Sequence, residues 1–549
     1  MKNEISRSME GILKYRKALL TVFLVITAVF GLEGGCSSGG GSNVPADIRA
    51  IFDKPFYSDS VWGLRVVDLD TGEVLINHNP DYNFIIGSVR KIFSTGELMN
   101  EIGADHVFIT PVYKQGEVDG SGVLDGDLIL VASGDISMGG RTEANGQFAI
   151  TDFDHNEAKA FGNAELTKPD PLKGYKAIAE QIAASGITQV NDVVIDDRLW
   201  EPYPFRGEFD MRAIFINDDC VDLMMSPGSE GTPAIVDWRP KSAALGVVND
   251  LVTSGPGTEL ILPIEPEFPD CIGEPGCVSG VGGQLPVDFV PPFTNEFPLV
   301  QTIRITEPQN YARTVLIELL EEANVTVLAD TVAENPVAKL PPGNSYSEDD
   351  LVTSFTSFPY ADYAKLINKV SYNLGANASL LLWGNTQGVD NMDDALAAER
   401  EMLTSVYGFP GDDFHFINGD GGGETTAKNE VVTKWLEIMT EQPAFGAFFD
   451  SLPILAVDGS MVFVDGFLSD PTLAGAKGQV HAKTGTFVAG DETGFIVRGE
   501  AFAGYIDTKS GRRLVYQIVV NNVRLNSFLD ILEVIQDEGT ISAILWRDY

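Results

Sequence analysis

The sequence predicts a mixed α/β (α+β) protein of several domains, and three observations support that class. Its 549 residues are enough for about three to five domains at roughly 100–200 residues each. Hydrophobic residues make up 44% and charged residues 21%, so the chain can bury substantial cores and is a poor match for disorder or coiled coil. Strand-like and helix-like apolar spacings then alternate along its length.

The N-terminal stretch is expected to address the chain rather than to fold with it. Lys14, Arg16 and Lys17 precede an apolar run from Ala18 to Leu32. At 15 residues, that run suits a secretory signal peptide better than a transmembrane helix, which needs about 20. Gly34-Gly35-Cys36 and the Gly/Ser stretch to Ser42 resemble a bacterial lipoprotein cleavage site with Cys36 acylated, although Glu33 stands where an aliphatic residue is usual. Residues 1–35 are assigned to a signal peptide and 36–50 to a flexible Gly/Ser tether. Export to the periplasm or cell envelope follows, with membrane contact by lipid anchor only. Ordinary signal cleavage or an uncleaved anchor is the competing reading.

From Trp62 to Asn77 the pattern is strand, turn and strand, with Asp70-Thr71-Gly72 at the turn. Ser88 opens a helix whose apolar positions Val89, Ile92, Phe93 and Met99 recur at helical spacing. Residues 122–135 read as strand, a helix with Ile178 and Ile182 inward stops at Gly186, and Asp192 to Ile195 is again strand. Residues from about 200 to 295 are rich in Pro and Gly with short apolar runs, which suits a small β-rich module. Tyr311 to Ala323 is an amphipathic helix, and Tyr363 to Trp383 is helical with an interruption near Ser371. Val480 to Ala482 reads as a short strand ending at Lys483. A hairpin follows from Ala501 to Ile506 and Leu514 to Val520, and Phe528, Ile531, Leu532 and Ile535 mark one face of a last helix.

Composition narrows function by exclusion. The formal charge of −42 repels phosphate backbones and no basic stripe offsets it, so nucleic acid is not an expected partner. The five histidines form no H-E-x-x-H pair, so a zinc peptidase would lack its ligand helix. Cys271 and Cys277 flank the turn-rich Ile-Gly-Glu-Pro-Gly and are candidates for a local disulfide in an exported chain. Cys220 then reads as a buried, unreactive thiol.

Three short motifs carry the chemistry: Ser88-Val89-Arg90-Lys91, Ser371-Tyr372-Asn373 and Lys483-Thr484-Gly485-Thr486. An isolated S-x-x-K is most often a capped helix with a surface lysine, an isolated Ser371 a helix breaker, and an isolated Lys483 part of a turn. Here each pattern occurs once, in this order, in an exported chain. On a helix, positions i and i+3 share a face, so Lys91 can reach the Ser88 hydroxyl, which needs a base to become a nucleophile. Burial beside a second cation, Lys483, would favour the neutral amine that such a base requires. The backbone N–H groups of Ser88 and Thr486 would supply an oxyanion hole.

The trio resembles that of penicillin-binding proteins and class A β-lactamases. The wider chain is similar to the DacB-like D-alanyl-D-alanine carboxypeptidase/endopeptidase family, the class C low-molecular-mass penicillin-binding proteins. The likeness is carried by Gly126 to Asp135, Val193 to Asp197, Leu452-Pro453, Asp458-Gly459-Ser460, Ala482 to Thr486 and Gly504-Tyr505-Ile506. It implies a β-lactamase/transpeptidase-like domain, an antiparallel sheet flanked by helices with a helical subdomain, at 51–107 and 346–549. An inserted α/β domain is expected at 108–200 and 296–345, and an inserted β-rich domain at 201–295.

The resemblance further implies Ser88, Lys91, Ser371 and Lys483 as catalytic and Asn373, Thr484, Gly485 and Thr486 as substrate-binding. Substrates would be peptidoglycan stem and crosslink peptides, with β-lactams as acylating mimics, and no metal or organic cofactor would be needed. A β-lactamase-like hydrolase and a non-catalytic penicillin-binding envelope protein are the alternatives. Two departures stand out: Tyr372 where Asp is frequent, and Asp420-Gly421-Gly422-Gly423 where D-G-S-G is common.

Overall fold

A computed structural model describes residues 44–157, 162–491 and 494–549. The expected signal peptide, Cys36 and the start of the tether lie outside them. The tether was expected to reach residue 50, yet Ala46–Phe52 is a helix that buries Ile48 and Ile51. Those two residues, three apart, give the segment an apolar face that a Gly/Ser linker lacks. Among the described residues, no helix is long and apolar enough to cross a membrane. The described residues divide into two compact units, one within 105–360 and the other formed by 44–104 together with 361–549.

The split unit is built on an antiparallel sheet in the order Val74–His78, Val61–Asp68, Arg513–Asn521, Gly494–Asp507, Val480–Asp491, with Val523–Leu525 paired to Gly494–Asp507. Helices cover both faces, so its central strands read as nearly continuous apolar runs rather than as an alternation. One face packs Leu64, Val66, Phe502 and Ile518 against Val534, Ile541 and Leu545 of the C-terminal helix Ile531–Asp548. That helix begins later than the apolar face suggested, because Phe528 belongs to a preceding 3-10 turn, Phe528–Asp530. The other face carries Asn429–Thr440, whose Trp435 stacks on Phe93 and donates to Ile92 O at 3.0 Å, fixing helix Lys91–Ile102 against the sheet.

The expected strand at Val480 to Ala482 is much longer, running to Asp491 through Lys483, Thr484 and Gly485. Its pairing with Gly494–Asp507 continues across the glycine, Gly485 opposite Ala501, and this hydrogen-bonded partner overrides the local turn signal. Helix Asn373–Thr386 is buried on nearly every side, as expected of one packed between Lys91–Ile102 and Met392–Ser405.

The unit formed by 105–360 has a four-stranded sheet in the order Leu351–Pro359, Val107–Val118, Leu124–Val131, Asp192–Asp196. Arg313, on helix Pro308–Glu322, donates to Asp192 Oδ1 at 2.6 Å and Val193 O at 3.1 Å. A second sheet orders Ile235–Arg239, Cys220–Ser226 and Leu299–Arg304, and Cys271 and Cys277 are bonded at an S–S distance of 2.02 Å.

Around the second sheet lies a buried charge cluster. Arg141 grips Asp154 with two nitrogens at 2.8 and 2.9 Å and also bonds Asp218. His155 bridges Asp218 at 2.8 Å and Asp222 at 2.6 Å, and Arg239 donates to Asp222 at 2.9 Å. Burial alone would push the imidazole down, but Asp222 and Asp218 carry it up to about 10. Three carboxylates thus face two guanidiniums and one imidazolium. Asn217, Asp218 and Asp219 are held at positive φ, between 50° and 56°.

Candidate active site

The nucleophile candidate is set by a change of helix type. Gly87–Arg90 is a 3-10 turn feeding directly into Lys91–Ile102, so Ser88 sits one turn ahead of Lys91 and the two side chains meet. Lys91 Nζ lies 2.6 Å from Ser88 Oγ, 2.7 Å from Asn373 Oδ1 and 2.7 Å from the carbonyl of Asp420. Two of these partners, Asn373 Oδ1 and the carbonyl, can only accept. A neutral amine that donates to both keeps its lone pair for the Ser88 proton.

Ser371 interrupts the helical stretch as expected, between Tyr360–Lys369 and Asn373–Thr386. Its φ of 63° is left-handed, an uncommon state for a residue with a β-carbon that a simple helix break does not require. This kink starts the next helix at Asn373, which therefore faces Lys91. Lys483 Nζ lies 2.9 Å from Ser371 Oγ and 2.8 Å from Thr484 O. Burial, then the neighbouring Lys91 charge, pushes the Lys483 amine well below its ordinary range, with Glu500 pulling the other way. Burial in turn pushes Glu500, opposite Thr486 on the next strand, up to about 8.

Backbones meet closely where the strand crosses the 3-10 turn. A β-carbon on Gly87, whose φ is 50°, would fall 2.8 Å from Thr486 N. One on Gly485 would fall 2.1 Å from Ile86 O and 3.1 Å from Ser88 N. The backbone of Gly485 and Thr486 therefore packs closely against that of Ile86 to Ser88.

All eight residues singled out in the three motifs therefore converge in this unit. Sequence reasoning missed their supports. Asn377 receives Gly419 N at 2.8 Å and donates to Asp420 Oδ2 at 3.2 Å, holding the loop whose carbonyl meets Lys91. Its position four residues after Asn373, on the same helix face, was the available signal. Arg90 pairs with Glu399 at 2.6 Å, both buried, and lies 4.4 Å over the Phe416 ring. Tyr372 is buried against Gly375, where its ring leaves no room for a β-carbon.

Three comparisons bear on this arrangement. The sequence profile of the D-Ala-D-Ala carboxypeptidase 3 (S13) family matches residues 44–536. A D-alanyl-D-alanine carboxypeptidase of Actinomadura sp. (strain R39) is 24% identical over 532 residues, covering 92% of this chain and 86% of that one. The crystal structure of penicillin binding protein 4 (dacB) from Haemophilus influenzae is similar in fold, with a TM-score of 0.64 at 15% identity over 92% of this chain and 100% of that one. The same protein complexed with a novel β-lactam gives a TM-score of 0.62 at 16% identity, again over 92% and 100%.

Proposed function

The chain belongs to the D-Ala-D-Ala carboxypeptidase 3 (S13) family and is a serine DD-peptidase, and from that premise we propose Ser88 as its nucleophile. The observation that carries this reading is the set of three contacts at Lys91, with Ser88, Asn373 and the Asp420 carbonyl. Lys91 takes the Ser88 proton as Oγ attacks the carbonyl between two D-alanines. The new oxyanion is received by the amides of Ser88 and Thr486, donors whose loss typically costs on the order of 100- to 1,000-fold in rate. As the C–N bond breaks, the proton held by Lys91 is relayed through Ser371, which donates its own proton to the leaving amine and regains one, so that Lys91 is neutral again and can take a proton from the attacking water. Water then hydrolyses the acyl-enzyme.

Asn373 holds the substrate amide, while Lys483, Thr484 and Thr486 bind the terminal carboxylate across the narrow waist at Gly485. β-Lactams acylate Ser88 as mimics, and crosslink peptides are cleaved by the same steps. A cell-envelope location follows from such substrates, reached through a signal peptide over 1–35 and an acylated Cys36. Within the unit formed by 105–360 we place two inserted domains, 108–200 with 296–345 and 201–295, although one sheet joins Cys220–Ser226 to Leu299–Arg304 across that boundary.

Fluorescent penicillin tests the central assignment. Wild-type protein should label covalently and release D-alanine from a peptide ending in D-Ala-D-Ala, and Ser88→Ala should do neither. Equal labelling of both would remove Ser88. Rapid penicillin turnover with no action on the peptide would favour a β-lactamase instead.

A further inference from the structure

Asp458-Gly459-Ser460 marks the family resemblance but has no part in the steps above. In the structure it joins two of the motifs. Pro453 O accepts from Ala482 N at 2.9 Å and Leu455 N donates to Val480 O at 3.0 Å, so this segment runs along the strand that carries Lys483. Asp458 receives Lys369 Nζ at 2.7 Å on each oxygen and Ile454 N at 2.9 Å. Lys369 is two residues before Ser371. Gly459 turns at a φ of 61° directly against Lys369, whose carbonyl would lie 2.7 Å from any β-carbon there. The turn so fixed presents Ser460 Oγ 2.8 Å from Thr484 Oγ1.

We propose that Ser460 is a positioning residue for carboxylate recognition, acting through Thr484. The inference rests on the reading that Thr484 binds the terminal carboxylate of the substrate. A hydroxyl has one proton and two lone pairs. When Ser460 donates to Thr484, the Thr484 lone pair is occupied and its single proton is left for an incoming anion. The resulting hydrogen bond is charge-assisted, and its direction is set before substrate arrives. Without Ser460 the Thr484 hydroxyl is free to rotate away, and part of the binding energy goes into turning it back. The Lys369–Asp458 pair ties this device to the backbone just ahead of Ser371, so the carboxylate site and the proton donor share one frame.

The test is a double-mutant cycle on a peptide ending in D-Ala-D-Ala with a free carboxylate, with KM and kcat measured separately. Ser460→Ala should raise KM about 3- to 10-fold, the range of one lost hydrogen bond, with kcat within about twofold. Thr484→Ala should raise KM at least as much, and the double variant no further than Thr484→Ala alone. Ser460→Thr, which keeps the hydroxyl, should restore the wild-type KM. If the alanine variant does not fold, Ser460→Cys supplies the same comparison with a much weaker donor. Additive effects of the two substitutions, a fall confined to kcat, or no change in KM would each overturn the inference. These results are distinguishable from failure of the underlying reading, in which wild-type protein neither labels with penicillin at Ser88 nor cleaves the peptide.

Discussion

Two groups of buried charges sit in this chain, and they are built on opposite rules. Around His155, the carboxylates of Asp154, Asp218 and Asp222 each have a cationic partner. Around Ser88, two lysines are buried near one another, and burial together with the Lys91 charge holds Lys483 well below its ordinary range. Balanced charges of the first kind fix structure. Like charges of the second kind push an amine toward its neutral form, which is what the proposed proton transfers would ask of it. The difference teaches that burial of charge does not by itself mark a reactive site; the crowding of like charges is the better sign.

The largest effects should come from exchanging the roles of the two groups. Lys91→Met should slow acylation by penicillin by about 100- to 10,000-fold, the usual weight of a general base, with the thermal midpoint within a few degrees of wild type. Arg141→Met should do the reverse to stability, costing about 3–5 kcal/mol in denaturant unfolding by leaving Asp154 and Asp218 buried without their shared cation. A Lys91→Met protein as unstable as Arg141→Met would erase the contrast.

Alkaline pH should separate the two groups by sign. The His155 imidazole binds its proton more tightly in the folded chain, so its stabilising effect is complete below an unfolded value near 6.5 and is lost as pH rises through about 10. That loss should amount to a few kcal/mol at about 1.4 kcal/mol per unit, and His155→Gln should abolish it. Lys483 binds its proton less tightly when folded, so its contribution to stability rises with pH between its lowered value and the ordinary lysine range. Melting curves from pH 7 to 10.5 on wild type and His155→Gln would show the two slopes. A wild-type slope unaffected by the substitution would mean that His155 is not the group titrating.

The smallest effect concerns the loop beside Ser88. Gly422→Ser restores the hydroxyl common at that position in the family, and its β-carbon would meet only the side-chain tips of Asp420 at 3.1 Å and Asn418 at 3.3 Å. Such tips can give way, so unfolding free energy should change by less than about 1 kcal/mol. A larger loss would show that this loop is as tightly committed as the His155 cluster.

How much of this was legible in the sequence depends on the distance over which each feature is encoded. Ser88 and Lys91 are three residues apart, and the break at Ser371 is local, so both could be read directly. The left-handed backbone of Ser371 could not, because its neighbours, not its own preference, hold it there. Gly485 misled for a related reason. It has the composition of a strand end, yet a glycine is needed where the strand touches Ile86 and Ser88. The His155 cluster was invisible, since Arg141, Asp154, Asp218, Asp222 and Arg239 come together only through tertiary folding and follow no period. Ala46–Phe52 was absorbed into the tether because two apolar residues are too few to show a helical repeat.

The missing β-carbons at Gly87 and Gly485 have a further consequence. At these two positions backbone meets backbone with no side chain between, so how closely the strand at Gly485 approaches the turn at Gly87 is set by peptide atoms. Selection under an inhibitor can redecorate the rim of this cleft, but it has no graded series of substitutions with which to widen or narrow the hole itself. If the proposed oxyanion hole lies there, substitutions selected by an inhibitor are expected away from Gly87 and Gly485, where any side chain would push into the neighbouring backbone.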